Sequence, residues 1–292
     1  ISLGNTHQDG IISSTGMDRY NVKVSADTKL TSNWSSGFTA NYITTSIDKA
    51  VTSGNGLLRT VYAAPPSYDL AGIPSHVDGN PYTQNSFRGS FDNAYWAMEN
   101  NKFTEDTNRF FGNVYTSYQT DFGTTNHKLN AKYMVGVDAY TTHYVDSYGY
   151  GSNTGGGRGQ IENYGWTNAT YNSLLTINYD WHINEDWGLN AVVGNEIIQS
   201  NRKKYYEYGT NYNFPGWNHI NNATTQQTEE ETWKNRTVGF FGNVSASYRN
   251  MLYLTLTGRQ DYVSNMPRKN RSFFYPSISA GFILTELDAL KN

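Results

Sequence analysis

The residues able to do chemistry are scattered through this chain, and their spacing decides against most reactions. Six histidines, His7, His76, His127, His143, His182 and His219, show no H-E-x-x-H or comparable ligand spacing, so isolated surface histidines explain them better than a metal centre does. The absence of cysteine removes thiolate ligands, a disulfide framework and a cysteine nucleophile. Gly149 to Gly159 (Gly-Tyr-Gly-Ser-Asn-Thr-Gly-Gly-Gly-Arg-Gly) is the densest glycine run, but it lacks the lysine of a phosphate-binding loop and no helix follows it. Nor is it a calcium-binding nonapeptide repeat, because Ile161 stands where that repeat needs aspartate. A mobile surface loop is the expectation. Glu229-Glu230-Glu231 reads as a solvated charge cluster, and no carboxylate pair is nominated for glycoside hydrolysis. Asn168-Ala169-Thr170 and Asn243-Val244-Ser245 match the glycosylation triplet but fall within predicted strands. No enzyme and no cofactor are expected.

What the chain does concentrate is aromatic rings beside amides, in segments that read as long loops: Tyr82, Tyr95, Trp96, Tyr148, Tyr150, Tyr212, Phe214 and Trp217. Flat exposed rings with hydrogen-bonding neighbours suit sugars, peptides or a protein partner, and these residues are the expected ligand or partner contacts. Packing of the loops on one another is the competing explanation for any one of them.

The elements that must hold such loops are legible in the composition and its patterning. Of 292 residues only 16% are charged, against about 25% in soluble domains, while aromatics reach 15% with 24 tyrosines. A net charge of −3, from 22 basic and 25 acidic residues, offers no surface for nucleic acid. No apolar run approaches the ~18 residues of a membrane helix, and the mean hydropathy is −0.66. A transmembrane β-barrel escapes that test, because its strands alternate. They do so here: Val22, Val24, Ala26, Thr28 and Leu30 oppose Asn21, Lys23, Ser25, Asp27 and Lys29. Leu129, Ala131, Tyr133, Val135, Val137 and Ala139 likewise oppose Lys128, Asn130, Lys132 and Asp138, and the pattern returns at Tyr171 to Tyr179 and Leu252 to Leu256. Eleven residues at ~3.3 Å each, tilted ~45°, climb about 25 Å, the height of an outer-membrane barrel's apolar band.

Connection lengths point the same way. Short links are predicted at Thr31 to Asn33, Asp121 to Asn126, His182 to Asp186, Arg249-Asn250 and Glu286 to Leu290. Long ones are predicted at about Asp48 to Asp106, Val145 to Gly165, Gly209 to Glu231 and Ser264 to Arg271. Some ten strands in up-down order follow, Ile1 to Gln8 being the first and incomplete one. Trp34, Tyr118, Phe122, Trp181, Trp187, Tyr248 and Tyr253 sit near the short links, as an interfacial girdle requires. No segment sustains an apolar helical stripe over three turns. Length alone suggests two domains, yet no linker or composition shift divides the chain, so residues 1 to 292 are expected to form one domain. The start at Ile1-Ser2-Leu3-Gly4 has no secretory leader and reads as the middle of a strand, hence as a fragment.

One block is specific enough to carry a resemblance. Arg236-Thr237-Val238-Gly239-Phe240-Phe241-Gly242-Asn243 leads through Ser247-Tyr248-Arg249-Asn250-Met251-Leu252-Tyr253-Leu254 to Thr257-Gly258-Arg259-Gln260-Asp261, and Arg271 to Ser277 follows. It resembles the barrel of SusC/RagA-type TonB-dependent transporters of Bacteroidota outer membranes. Asp18 to Asn21, Tyr62-Ala63-Ala64-Pro65-Pro66, Tyr95 to Asn101 and Asn108-Arg109 extend the resemblance over almost the whole chain. It implies an all-β, antiparallel up-and-down transmembrane barrel of ~22 strands, of which about ten are present here without the plug domain. It further implies outer-membrane lipid around the barrel, a SusD-like lipoprotein lid, the TonB complex acting through the plug, and import of an oligosaccharide or peptide. On that reading Val22, Val24, Leu30, Leu252, Leu254 and Leu256 face lipid, and Lys23, Asp27, Lys132, Asp138 and Arg259 face the lumen. Two other readings compete. One is a soluble or surface-exposed β-protein binding carbohydrate through its Tyr- and Trp-rich loops; the other is a complete small porin or adhesin.

Overall fold

The computed structural model describes residues 1–51, 56–123 and 126–287. In chain order the elements are β1 (Ser2–Asp9), β2 (Gly16–Lys29) and β3 (Trp34–Lys49), then α1 (Leu57–Ala63), β4 (His76–Val77), β5 (Asn80–Gln84) and α2 (Ala94–Asn100) within one long connection. Seven long strands follow: β6 (Lys102–Thr120), β7 (His127–Tyr148), β8 (Gln160–His182), β9 (Trp187–Tyr212), β10 (Ala223–Tyr248), β11 (Leu252–Val263) and β12 (Ser272–Phe282). Ten strands make a single sheet in the order β1-β2-β3-β6-β7-β8-β9-β10-β11-β12, each antiparallel to the next, while β4 and β5 pair separately. Among the described residues β1 and β12 each have one neighbour, so the sheet is open.

At one end the links are tight, and polar side chains fix them. Thr31 Oγ1 accepts from the N–H groups of Asn33 (3.2 Å) and Trp34 (3.0 Å), and Asn184 Oδ1 accepts from those of Asp186 (3.0 Å) and Trp187 (2.8 Å). Arg249 and Asn250 both take φ near +50°, the left-handed pair that a two-residue hairpin requires. Arg249 is held there by Asp186, through its N–H to the carbonyl (2.6 Å) and its guanidinium to the carboxylate (2.8 Å). Of the predicted short links, residues 124–125 and 288–290 lie outside the described residues.

The long connections are shorter than the sequence suggests. Pairing of β7 with β8 runs on to Tyr148↔Gln160, and pairing of β9 with β10 to Tyr212↔Ala223. The predicted loops at 145–165 and 209–231 therefore shrink to 149–159 and 213–222. Ladder hydrogen bonds need no apolar alternation, so these polar strand tops carry no burial pattern to read. In β10, residues 225–235 are exposed on both faces and pair with β9 alone among the described residues, because β11 joins only at Thr237↔Val263 and the chain after it reaches no further than Arg236, through Ser264. The first long connection also holds two helices of two turns each, too short for a periodicity to show.

Register sorts every strand into two faces. Ala26↔Phe38, Phe38↔Val114 and Val114↔Val135 join one row, and Ala191↔Val244, Val244↔Leu256 and Leu256↔Ile278 another, all on the same side. These apolar groups are bare: Val135 is 47% exposed, Val193 56% and Ile278 71%. An apolar face running across ten strands far exceeds the patches that water-soluble surfaces tolerate, and hydrocarbon is the solvent that suits it. Trp34 with Tyr118 (ring centroids 5.0 Å apart), Trp187 with Tyr248 (4.7 Å) and Trp181 stacked on His127 (5.6 Å) mark its lower margin. Tyr253 is a correction to that girdle. It lies on the face opposite Leu252 and Leu254, and its hydroxyl donates to the Asn250 carbonyl (2.9 Å).

Candidate functional site

Buried apolar side chains among the described residues, Phe91, Ala94, Trp96, Ile161, Tyr212 and Ala223, all lie at the long-loop end, where the connections form a cap. Asp92 organises it. Its carboxylate accepts from Gln84 Nε2 (2.7 Å), Ser152 Oγ (2.6 Å) and the Asn153 N–H (2.7 Å), and its carbonyl accepts from Thr60 Oγ1 (2.8 Å). Asn93 then caps α2, accepting from the N–H groups of Tyr95 (3.0 Å) and Trp96 (3.2 Å). The glycine-rich run meets this clasp at Gly151, whose φ of +102° and approach to the Tyr82 carbonyl leave no room for a Cβ. The surface loop expected at Gly149 to Gly159 is thus largely tied down: Gly149, Ser152, Gly155 and Gly159 are buried, and Gly156 to Arg158 form its exposed tip.

The predicted contact residues divide into three groups. Trp96 and Tyr212, read from the sequence as exposed, have no accessible surface. The Trp96 indole N–H donates to the Pro81 carbonyl (2.8 Å), and Tyr212 packs with Ile161 and Ala223 against Val145, Tyr150 and Ile220. Burying a large ring is what stabilises a loop cap that lacks other apolar mass. Tyr82 and Tyr150 come together, lining a hollow of about 510 Å³ with His76, Glu99, Lys102 and Asn218, where His76 Nε2 lies 3.1 Å from Glu99. Tyr148, half-buried beside it, meets Phe103 edge-on at 5.2 Å. Tyr95 is exposed on α2, and Phe214, Trp217 and His219 form a separate stack, with centroid spacings of 5.8 and 4.9 Å and nearly parallel planes.

The largest aromatic assembly is one the sequence reading missed, because it stands on strands. On the inner face of the upper sheet Tyr144 and Tyr164 stack at 4.8 Å with planes 7° apart, Trp166 meets both edge-on, and Tyr206 flanks Tyr164 at 6.4 Å. Charged groups frame the rings. Lys49 Nζ sits 4.5 Å over Tyr144 and 3.5 Å from Glu105, and the Tyr164 hydroxyl donates to Asp146 (3.1 Å). The clue was available in the even-numbered positions of Tyr140, Tyr144, Tyr164 and Trp166, but only strand register shows that they adjoin.

Lower on the same face lies an open hollow of about 770 Å³, lined among others by Lys23, Asn41, Asp138, Asn172 and Glu196. The five charges predicted for the lumen, Lys23, Asp27, Lys132, Asp138 and Arg259, share this face by register. Four of them have partners: Arg109 is bidentate to Asp138 (2.9 and 2.6 Å), and Arg259 bridges Glu196 (2.9 Å) and Asp261 (2.8 Å). Lys132 lies 4.4 Å over the Tyr115 ring, whose hydroxyl donates to Asp27. This wall can hold polar matter and water, which is the chemistry of a passage.

Comparison with known proteins agrees with this geometry. No family model matches the chain. A TonB-dependent receptor, P26, of Formosa agariphila is 25% identical over all of it, and TonB-dependent receptor SusC of Bacteroides thetaiotaomicron is also 25% identical over all of it. The chain spans about 30% of the length of these relatives (29% and 30%). Among solved structures, the RagAB peptide importer in its 'open-open' state superposes on 95% of the chain with a TM-score of 0.75 at 13% identity, and its 'closed-closed' state on 99% with 0.76 at 14%. The chain covers 31% and 33% of those partners and shares their fold. In register and fold these residues form part of an outer-membrane β-barrel, similar in sequence along their whole length to TonB-dependent receptors, SusC among them, and sharing the fold of the RagAB importer.

Proposed function

We propose that residues 1 to 292 are a single, partial barrel domain, incomplete at both ends, in the wall of an outer-membrane active importer. The importer takes up oligosaccharides or peptides together with a SusD-like surface lipoprotein and is powered by the TonB complex. One observation carries this reading: a ten-strand sheet, apolar outside and ion-paired inside, whose whole length matches receptors named TonB-dependent. Two open sheet edges support the partial barrel, since edge N–H and C=O groups left unpaired in lipid cost several kcal/mol each. The relative named SusC and the RagAB peptide importer support an import role over catalysis. In this reading Tyr82, Tyr95, Tyr148, Tyr150 and Trp217 contact cargo or the lid, while Trp96 and Tyr212 keep the cap in shape.

The test is uptake of fluorescently labelled oligosaccharide and peptide pools by cells carrying or lacking the full-length native polypeptide. Loss of uptake on deletion, and equal loss when the inner-membrane proton gradient is collapsed, is the expected result. Unchanged uptake of every pool would sink the importer reading.

A further inference from the structure

The upper inner wall contains a cation whose only described partners are rings. Arg202, on β9, places its guanidinium carbon 5.3 Å from the ring centre of Trp166 on β8 and 5.6 Å from that of Trp233 on β10. Register sets all three on the inner face, with Arg202 directly across from Trp233 and from Asn168. Among the described residues no carboxylate lies within ion-pair distance of Arg202, although Arg109, Arg249 and Arg259 each have one. The nearest acid in register, Glu231, is engaged by Lys204 at 3.6 Å. Glu162 and Glu229 lie further along the same face, opposite Tyr208 and Tyr206.

Two properties follow from that geometry. A guanidinium held over indole rings rather than by a carboxylate keeps N–H donors for a ligand, and their fork matches the two oxygens of a carboxylate or sulfate. Indole faces offer flat apolar area to the C–H face of a pyranose ring. Access is open as well. Trp233 is 45% exposed and stands on the stretch of β10 that, among the described residues, no further strand covers, since β11 joins only at Thr237. A ligand can therefore reach the cluster from the lumen or through the notch in the sheet's upper margin.

The geometry points to Trp166, Arg202 and Trp233 as a subsite for an acidic oligosaccharide, with one sugar ring against indole and its anionic substituent on Arg202. The subsite rests on the import reading only in facing a lumen; binding itself does not require transport. Peptide recognition fits less well, because among the described residues the cluster offers flat rings, the amides of Asn168 and Asn235 and the neighbouring Lys204–Glu231 pair rather than an enclosed apolar pocket for a side chain.

The experiment is intrinsic tryptophan fluorescence titration of the full-length protein in detergent with four probes: tetragalacturonate, a sulfated galactose tetramer, neutral maltotetraose and tetra-aspartate. Arg202→Gln, Arg202→Lys and Trp233→Ala are compared with wild type. The expected result is saturable quenching by tetragalacturonate, weakened about ten- to a hundredfold by Arg202→Gln and less by Arg202→Lys. Trp233→Ala weakens binding too, and Arg202→Gln leaves maltotetraose within about threefold. An Arg202-dependent response to the sulfated tetramer supports the same anion chemistry and names its source as sulfate. Tighter binding of tetra-aspartate, equal effects of Arg202→Gln on charged and neutral sugars, or no effect at all would overturn the subsite. Uptake lost on deletion alongside binding insensitive to Arg202 would sink the subsite and leave the importer standing.

Discussion

The body of the sheet and the cap at its long-loop end are held together by opposite means. In the body the backbone ladder satisfies the polar groups, apolar side chains such as Val114, Val135 and Val193 point outward, and among the described residues no apolar side chain is buried at the centre. In the cap the logic is that of an ordinary protein core, with Trp96 and Tyr212 fully enclosed and Asp92 binding three stretches of chain. The body depends on its solvent and the cap on its own packing. A perturbation should therefore be expensive in one region for a reason that does not exist in the other.

The largest effect is expected in the cap. Trp96→Ala removes a fully buried ring and the bond from its indole N–H to Pro81, at a cost of about 3 to 5 kcal/mol. That cost should stay local. In the full-length protein, hydrogen exchange at the α2 amides should accelerate and protease should cut within residues 56–101, while the heat-modifiable gel mobility of the barrel is retained. Loss of the barrel itself would show that cap and body form one cooperative unit.

A somewhat smaller effect isolates the body. Met134 and Val135 are consecutive apolar residues of β7 on opposite faces: Met134 lines the inner hollow and Val135 points outward. Val135→Lys should cost about 2 to 4 kcal/mol near the bilayer midplane, and Met134→Lys under about 1 kcal/mol. Urea titration of the full-length protein refolded into lipid vesicles measures both. Equal costs would break the assignment of faces. Leu254, two residues from the short turn, should tolerate lysine better than Val135, because the penalty falls toward the interface.

The same contrast governs what could be read from the sequence. Faces were legible wherever lipid imposes an alternation, as at Leu129 to Ala139, and short turns were legible because Asn33, Asn184 and Asn250 announce them. Strand ends were not. Above the membrane band both faces of β9 and β10 meet water, so Thr225 to Arg236 carry no alternation although they pair residue for residue. The cap was illegible for a different reason. Trp96 and exposed Tyr95 are neighbours of similar chemistry, and only the turn set by Asn93 sends one inward and the other out. The aromatic wall at Tyr144, Tyr164 and Trp166 lay between these cases, visible as parity within each strand but not as a cluster across strands.

The smallest effect tests whether the inner face is wet. Arg109 and Asp138 form a bidentate pair with side chains 44% and 38% exposed, facing the hollow. A pair in water-filled space should couple weakly, by about 0.2 to 1 kcal/mol in a double-mutant cycle of Arg109→Gln and Asp138→Asn, and the coupling should shrink as salt rises. Arg109→Gln alone should cost more than the coupling, because the guanidinium also lies 5.0 Å from the Phe111 ring. Double-mutant cycles in vesicles at low and high salt read both quantities. A coupling of about 3 kcal/mol or more, insensitive to salt, would mean that this wall is dry and packed against other protein, and the body would then share the energetics of the cap.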